Sequence, residues 1–479
     1  MNRPSYGDRD PIAALATPSA ESALALVRTA GGGADEQSAI DLLSKVFFQR
    51  EKLLSAPSNS LVHGWIIDPR NSKKIDEVMV SVYRAPRSYT GEDGADITCH
   101  GGIAAIKAIM AVLKHAGFRD ALPGEFTFRS FMNGKLDLTR AESVMELVSA
   151  KTHKARDLAV RRLTGALEKE ISGIKALLVE VLAGTEIYLD YSEDEFLNQD
   201  DEAAGRLPGR NLAEEAARRL KALTENWRRE RIYAEGALAV LIGRPNAGKS
   251  SLFNYLLRED RSIVTDIPGT TRDWIEALVS VEEIPLRLAD TAGLGGLKEN
   301  NEAERIGIKR SLELLDRADL VLYVIDGLKG ITVEDREFLA KHKETSPDKP
   351  ALILWNKSDL ESPPAFSEEE LPGKILTVSA KTGEGISNLT RSIADLMIHS
   401  DAMNSGVQQE APGTLRQKEL VDAAMASVEE ALALASKEEP LDIIAPLFRS
   451  AISSLGEITG EISGADILNA MFSRFCVGK

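Results

Sequence analysis

Short stretches of this sequence hold residue types that can bind and break phosphates. GRPNAGKS, Gly243 to Ser250, fits G-x-x-x-x-G-K-[ST] and joins a β-rich run to a helical one. In such a loop, backbone N–H groups around Asn246, Ala247 and Gly248 turn toward phosphate. Lys249 adds a point charge, Ser250 can ligate Mg²⁺, and Ser251 is a further GTP-binding candidate. DTAG follows: Asp290 suits an indirect Mg²⁺ contact, and the Gly293 N–H, after Thr291 and Ala292, suits a γ-phosphate. Between the two lies a candidate switch loop of Thr265, Asp266, Ile267, Pro268, Gly269, Thr270 and Thr271. Thr271 is the expected Mg²⁺ ligand there. NKSD places Asn356, Lys357 and Asp359 at the end of another apolar run. An aspartate there accepts two hydrogen bonds from guanine, whereas adenine lacks that donor pair. Ser379, Ala380 and Lys381 would complete a base pocket. These boxes occur in the order of a GTP-binding domain.

Leu294 follows Gly293, where many GTPases carry a water-orienting glutamine. Leucine cannot hydrogen-bond water. Hydrolysis is therefore very slow, or another group does the work. Glu299, Glu302 and Glu304 are near, each also readable as a solvated helix charge.

A different chemistry attaches to RFCVGK, which contains Cys476, one of only two cysteines in the chain. The spacing is that of a prenylation box, but Gly478 is not aliphatic and Lys479 is a poor final residue. Two readings stay open: a buried core thiol, since free cysteine is often buried, or a reacting group.

The elements that position these residues change along the chain. From 77 to 122 the pattern is mixed, with a strand at EVMVSVYRAP and a helix at GIAAIKAIMAVLKHAG. From Asp137 to about Asp190 helical spacing dominates, with Gly165 and Gly173 inside it. An acidic segment, YSEDEFLNQDDEAAGRLPGR, reads as a surface loop, and NLAEEAARRLKALTENW as a further helix. From Ala237, short β-rich runs alternate with helices to about His399, which implies βαβ units and a mostly parallel sheet. SDAMNSGVQQEAPGT reads as a linker, and helix resumes at Leu415. The expected architecture is multidomain α/β plus α: an N-terminal domain over 1–135, a helical domain split into 136–230 and 401–479, and an inserted nucleotide-binding domain over 231–400.

Composition bounds the alternatives. At 479 residues the chain exceeds one core, and 43% hydrophobic with 28% charged residues suits a globular protein. Two cysteines make no disulfide framework and fit a reducing cytoplasm; no signal peptide or membrane span is expected. A net charge of −16 argues against the chain gripping nucleic acid alone, because counterion release favours basic surfaces. A partner would have to supply much of the basic surface.

GRPNAGKSSLFN, TDIPGTTRD, DTAGL with ERIGI, and the terminal FCVGK together resemble the MnmE (TrmE) family of tRNA-modifying GTPases. SYTGED with HGG, and PGEFTFRSFMNGKLDL, extend the resemblance over nearly the whole chain. It implies a folate-binding-like, dimerising N-terminal domain and a discontinuous helical domain with an inserted Ras-like P-loop GTPase domain. It implies GTP, Mg²⁺ and K⁺, the potassium held by Asn246, Thr265, Ile267 and Thr270 in the homodimer of GTPase domains. Glu304 would position water, which answers the Leu294 puzzle. With the FAD protein MnmG, in a heterotetramer or larger complex, the family builds aminomethyl-type groups at C5 of the tRNA wobble uridine. The one-carbon unit would come from a 5-formyl or 5,10-methylene tetrahydrofolate, with Arg28, Asp96, Lys135 and Lys479 at the folate and Cys476 a candidate in the modification. Two departures stand out: SAESA replaces a glycine-rich run, and Asp96 replaces a longer glutamate. The competing reading is a ribosome-assembly or regulatory switch GTPase without folate chemistry. An adenylate-binding ATPase is disfavoured by NKSD.

Overall fold

The computed structural model describes residue 6 and residues 10–32, 38–190, 207–258, 275–290, 314–347, 349–362, 374–398, 410–462 and 464–479. The switch-loop residues Thr265 to Thr271, and Thr291, Ala292, Gly293, Leu294 and Glu304, lie outside them, as do 191–206 of the acidic segment and 400–409 of the linker. The chain divides into two compact units. One comprises Met1–Met145, Glu168–Arg210 and Glu430–Lys479; the other comprises Glu146–Leu167 and Asn211–Glu429.

The first unit is built on six strands, β1 (Ile12–Leu15), β2 (Ser22–Ala30), β3 (Ser60–Asp68), β4 (Lys73–Tyr83), β5 (Gly94–Gly101) and β6 (Arg119–Asp120), in the order β3-β4-β5-β2-β1-β6. Neighbours are antiparallel except β1 with β6. Period-two alternation sends Val27, Val78, Val80, Val82, Ala95 and Ile97 to one face. The helix Ile103–Ala116 covers that face with Ile106, Ile109, Val112 and Leu113, a stripe at helical spacing. The opposite positions of β2 and β5 carry Arg28 and Asp96, registered as partners. The unit also holds the helices Leu441–Thr459 and Ala465–Phe472 and, from Glu168 on, the helix Ala166–Asp190. The expected helical run from Asp137 is in fact three helices, Leu138–Ser149, His153–Leu163 and Ala166–Asp190, the last break falling at Thr164 and Gly165.

The second unit carries a sheet of β7 (Ala237–Ile242), β8 (Ile275–Val281), β9 (Ile284–Asp290), β10 (Leu320–Asp326), β11 (Ala351–Asn356) and β12 (Lys374–Thr377), in the order β12-β11-β10-β7-β9-β8. All neighbours are parallel except β8 with β9. β7 and β10 are buried throughout, as strands covered on both faces must be. Alternate residues serve two cores: Ala239 and Leu241 pack with Leu322, while Val240 and Ile242 pack with Val321 and Tyr323.

The β8–β9 hairpin turns on Glu282 and Glu283, both at positive φ (48° and 68°). Two-residue turns of this kind favour Asn and Gly, so two glutamates there store strain. The Glu283 carboxylate accepts the Lys154 N–H at 3.2 Å, at the start of the helix His153–Leu163. Deeper in the unit, Arg162, only 2% exposed, donates to Glu146 at 2.7 Å and Glu230 at 2.8 Å.

Candidate functional site

The nucleotide loop begins where β7 ends and feeds the helix Lys249–Arg258. Lys249 is buried, and its Nζ donates to the Gly243 carbonyl at 2.8 Å and the Arg244 carbonyl at 3.0 Å. Burial lowers its pKa, and the charge of Asp290 opposes that shift. Two carbonyl dipoles are weaker partners for an ammonium than an anionic phosphate oxygen, which can replace them. Ser250 Oγ donates to Asp290 Oδ2 at 2.8 Å. Asp290 Oδ1 is buried with no hydrogen-bond partner among the described residues. A hydroxyl and a half-satisfied carboxylate so placed fit a hard cation with oxygen ligands such as Mg²⁺.

Asn356, 2% exposed, ties three boxes together. Its Nδ2 donates to the Ala247 carbonyl at 2.8 Å, and its Oδ1 accepts the Ala380 N–H at 3.1 Å. The approach is so close that a Cβ on Gly248 would sit 2.1 Å from Asn356 Nδ2, and Gly248 is at φ +95°. Only glycine fits. Lys357 Nζ bridges the Asn246 carbonyl at 3.1 Å and Asp326 at 2.8 Å. Asp326 was not among the expected residues. Its signal was its position at the end of β10, beside the loop in the sheet. Ser379 Oγ donates to Asp359 at 2.7 Å and accepts the N–H groups of Lys381 and Thr382. The expected base-reading carboxylate, Asp359, is thus exposed and held at one oxygen by Ser379, rather than buried. Its cost of burial would arise only with a base above it.

The second cluster lies in the other unit. Arg28 Nε and Nη2 grip Asp96 at 2.9 and 3.3 Å, and Nη1 donates to the Gly478 carbonyl at 3.3 Å. Burial works against the Arg28 charge, but the hydrogen bonds and charge of Asp96 outweigh it and raise its pKa. The guanidinium also faces the rings of Tyr89 and Phe126 at 5.8 and 5.9 Å. Asp96 therefore makes a two-pronged pair despite its shorter side chain. Lys135 is exposed and donates to the Pro86 carbonyl at 3.0 Å; Lys479 turns back through its N–H to the Cys476 carbonyl at 3.3 Å. Cys476 is exposed, which removes the core-thiol reading. The buried thiol is Cys99, pushed up to about 11 by desolvation, with the charge of Asp76 adding to it. Tyr89, Phe126 and the Gly478 carbonyl had no signal in residue type alone.

A strand-borne loop presenting a lysine and a serine to an aspartate, with an asparagine lacing it to the next strand's turns, defines a P-loop guanine-nucleotide-binding protein. The MnmE helical domain family matches residues 138–476, and the family of the GTP-binding protein TrmE N-terminus matches residues 11–135. The chain belongs to the MnmE family. It is 41% identical over 485 residues to the tRNA modification GTPase MnmE of Treponema denticola, covering 99% of each chain. With the protein of that name from Carboxydothermus hydrogenoformans it shares 38% over 483 residues, 98% of this chain and 99% of the relative. A solved G domain of T. maritima FeoB is 25% identical over 33% of this chain and 98% of that one, with a TM-score of 0.27, too slight a likeness to argue from. Among the described residues no helix is long and apolar enough to cross a membrane.

Proposed function

We propose that this GTPase of the MnmE family hydrolyses GTP in a potassium-stimulated way and takes part in modifying the wobble uridine of certain tRNAs. With an FAD protein such as MnmG, it installs an aminomethyl or carboxymethylaminomethyl group at C5 from the one-carbon unit of a tetrahydrofolate derivative. The observation that carries this reading is the convergence of Arg28, Asp96 and the Cys476-bearing tail in one unit, while the other unit holds the nucleotide loop. A switch protein needs no such cluster.

In the nucleotide unit, Lys249 binds phosphate oxygens, Asn356 keeps loop and base turns in register, and Asp359 reads guanine. Ser250 and Thr271 hold Mg²⁺, which when bound supplies positive charge to the phosphates. Asn246, Thr265, Ile267 and Thr270 hold potassium where two copies pair, and Glu304 orients the attacking water. In the other unit, Arg28, Lys135 and Lys479 offer cations to the carboxylates of a folate, Asp96 aims Arg28, and Cys476 takes part in modification. The division 1–135, 136–230, 231–400 and 401–479 is the domain scheme we propose for a cytoplasmic homodimer. The net charge of −16 favours a tRNA bound largely through the partner.

The test is nucleoside analysis of tRNA from cells lacking the chain. Loss of the wobble-uridine modification is expected; an unchanged nucleoside profile overturns the reading. Hydrolysis at equal rates in sodium and potassium would remove the potassium step alone.

A further inference from the structure

The tail that carries Cys476 meets the rest of its unit at defined points. Gly124, in the PGEF stretch, donates its N–H to the Cys476 carbonyl at 3.2 Å. Its backbone is left-handed, φ +67°, and a Cβ added there would lie 2.8 Å from the Phe472 carbonyl oxygen and 2.8 Å from Phe475 Cβ. Nothing larger than glycine fits without moving the tail. Around this contact stands an aromatic cluster. Phe472 meets Phe128 edge-on at 5.4 Å and Phe475 at 5.1 Å, and Tyr6, which packs on Phe128, donates its hydroxyl to the Pro123 carbonyl at 2.7 Å. Behind the turn, Glu125 is fully buried and accepts from Arg119, Arg129 and the Leu122 N–H. That network fixes the turn from the inside. On the far side of Cys476, Gly478 lies over Leu15 and Ala16 and its carbonyl takes the Arg28 bond. The tail is thus pinned on both sides of a cysteine that itself stays exposed.

We propose that the Gly124 turn is a seat that positions Cys476, so that Gly124 acts as a positioning residue for the modification reaction. This rests on the reading that Cys476 takes part in that reaction. The device works through backbone: one N–H fixes the Cys476 carbonyl, and the missing Cβ lets Phe472 and Phe475 close over the turn. The side chain of Cys476 is then directed by its own backbone, while Arg28 holds the carbonyl of Gly478, the second residue after it.

The seat is testable on the full-length chain. The bond after Arg474 is a trypsin site whose Phe475 N–H donates to the Phe472 carbonyl at 3.0 Å and whose Phe475 side chain is 7% exposed. Cleavage there, read by mass as loss of residues 475–479, reports tail release. Gly124→Ala is expected to speed it about tenfold, the factor that about 1.4 kcal/mol supplies, and to abolish wobble-uridine modification. Gly134→Ala is the control for left-handed strain, because Gly134 has the same φ of +67° with no atom within 4 Å of an added Cβ. It is expected to leave tail cleavage unchanged. Gly124→Asn, which tolerates the backbone but keeps the Cβ, should release the tail like alanine; a thermal melt of each variant checks folding. Cleavage after Arg474 at the wild-type rate in both Gly124 variants overturns the seat. A freed tail with normal modification, in a protein whose Cys476→Ala variant cannot modify tRNA, also overturns it. Normal modification by Cys476→Ala instead overturns the participation of Cys476 and leaves the tail-release result to judge the seat.

Discussion

Ser250 Oγ and Asp290 Oδ2 stand 2.8 Å apart, joining the start of the nucleotide helix to the end of β9. The second Asp290 oxygen is buried without a partner among the described residues. Ser250→Ala should therefore abolish the advantage Mg²⁺ gives to nucleotide binding. The ratio of GDP dissociation constants with EDTA and with Mg²⁺ is expected to fall about tenfold or more, given about 1.5–3 kcal/mol for a hydrogen bond to a charged group. An unchanged ratio would mean the cation is held elsewhere.

Asn356→Ala breaks both the Ala247 and the Ala380 bonds. The Ala247 carbonyl loses its Asn356 donor in a buried place, at a cost of about 1–3 kcal/mol. Guanine-nucleotide affinity should fall by at least about tenfold, read by fluorescence titration. Affinity within a factor of two of the original would contradict the lacing role.

On the proposed folate reading, both directions of change at Asp96 should weaken binding. Asp96→Asn loses the charge that opposes Arg28, and Asp96→Glu pushes the guanidinium from the Gly478 carbonyl. Calorimetry with 5-formyltetrahydrofolate is expected to show affinity about tenfold lower for Asp96→Asn, for one charge-assisted bond lost. Tighter binding by Asp96→Glu would show that the shorter residue is the handicap.

The strained Glu282–Glu283 turn predicts a gain. Glu282→Asn places a residue that tolerates positive φ while leaving the Glu283 contact with Lys154 intact. Hydrogen exchange at Val281 and Ile284 should slow by about fivefold, the equivalent of about 1 kcal/mol. Faster exchange would show that the turn is not strained.

Glu230 predicts a pH effect. Desolvation raises its pKa from 4.5 to about 6, with Arg162 pulling it down and Glu410 pushing it up. The fold therefore binds its proton more tightly than the unfolded chain does, and this contribution to stability falls as pH rises through about 4.5 to 6. Glu230→Gln removes that dependence. The stability difference between wild type and variant should move by about 1–2 kcal/mol in favour of wild type between pH 7.5 and 4.5. Parallel curves in denaturant melts at the two pH values would refute the shift.

Much of the nucleotide site was legible because its chemistry is local. GRPNAGKS and NKSD each lie on a few consecutive residues next to apolar strands, so type, spacing and context coincide. Asp326 is not legible in the sequence because its role depends on β10 lying beside β7, a pairing between distant segments. The first unit was harder to read. Its six-stranded sheet has short or mixed strands such as β1 and β6, and only EVMVSVYRAP stood out. Cys476 could not be placed from its neighbours: ADILNAMFSRF ends on an apolar face, and Phe472 and Phe475 do turn inward, but the next residue does not. The three-way break of the helical run at 137–190 also depends on packing that spacing alone does not encode.

The bond between Arg28 and Gly478 joins positions 450 residues apart. During synthesis at roughly 5–20 residues per second, the first partner waits roughly 20 to 90 seconds for the second. The whole nucleotide-binding unit is made in that interval. The β2–β5 pair is complete in the chain by residue 101, but Arg28 cannot bond the Gly478 carbonyl until everything between has left the ribosome. Chains terminated before Gly478 would carry a finished nucleotide loop but an Arg28 without its Gly478 carbonyl, so this bond marks a chain made to its 478th residue.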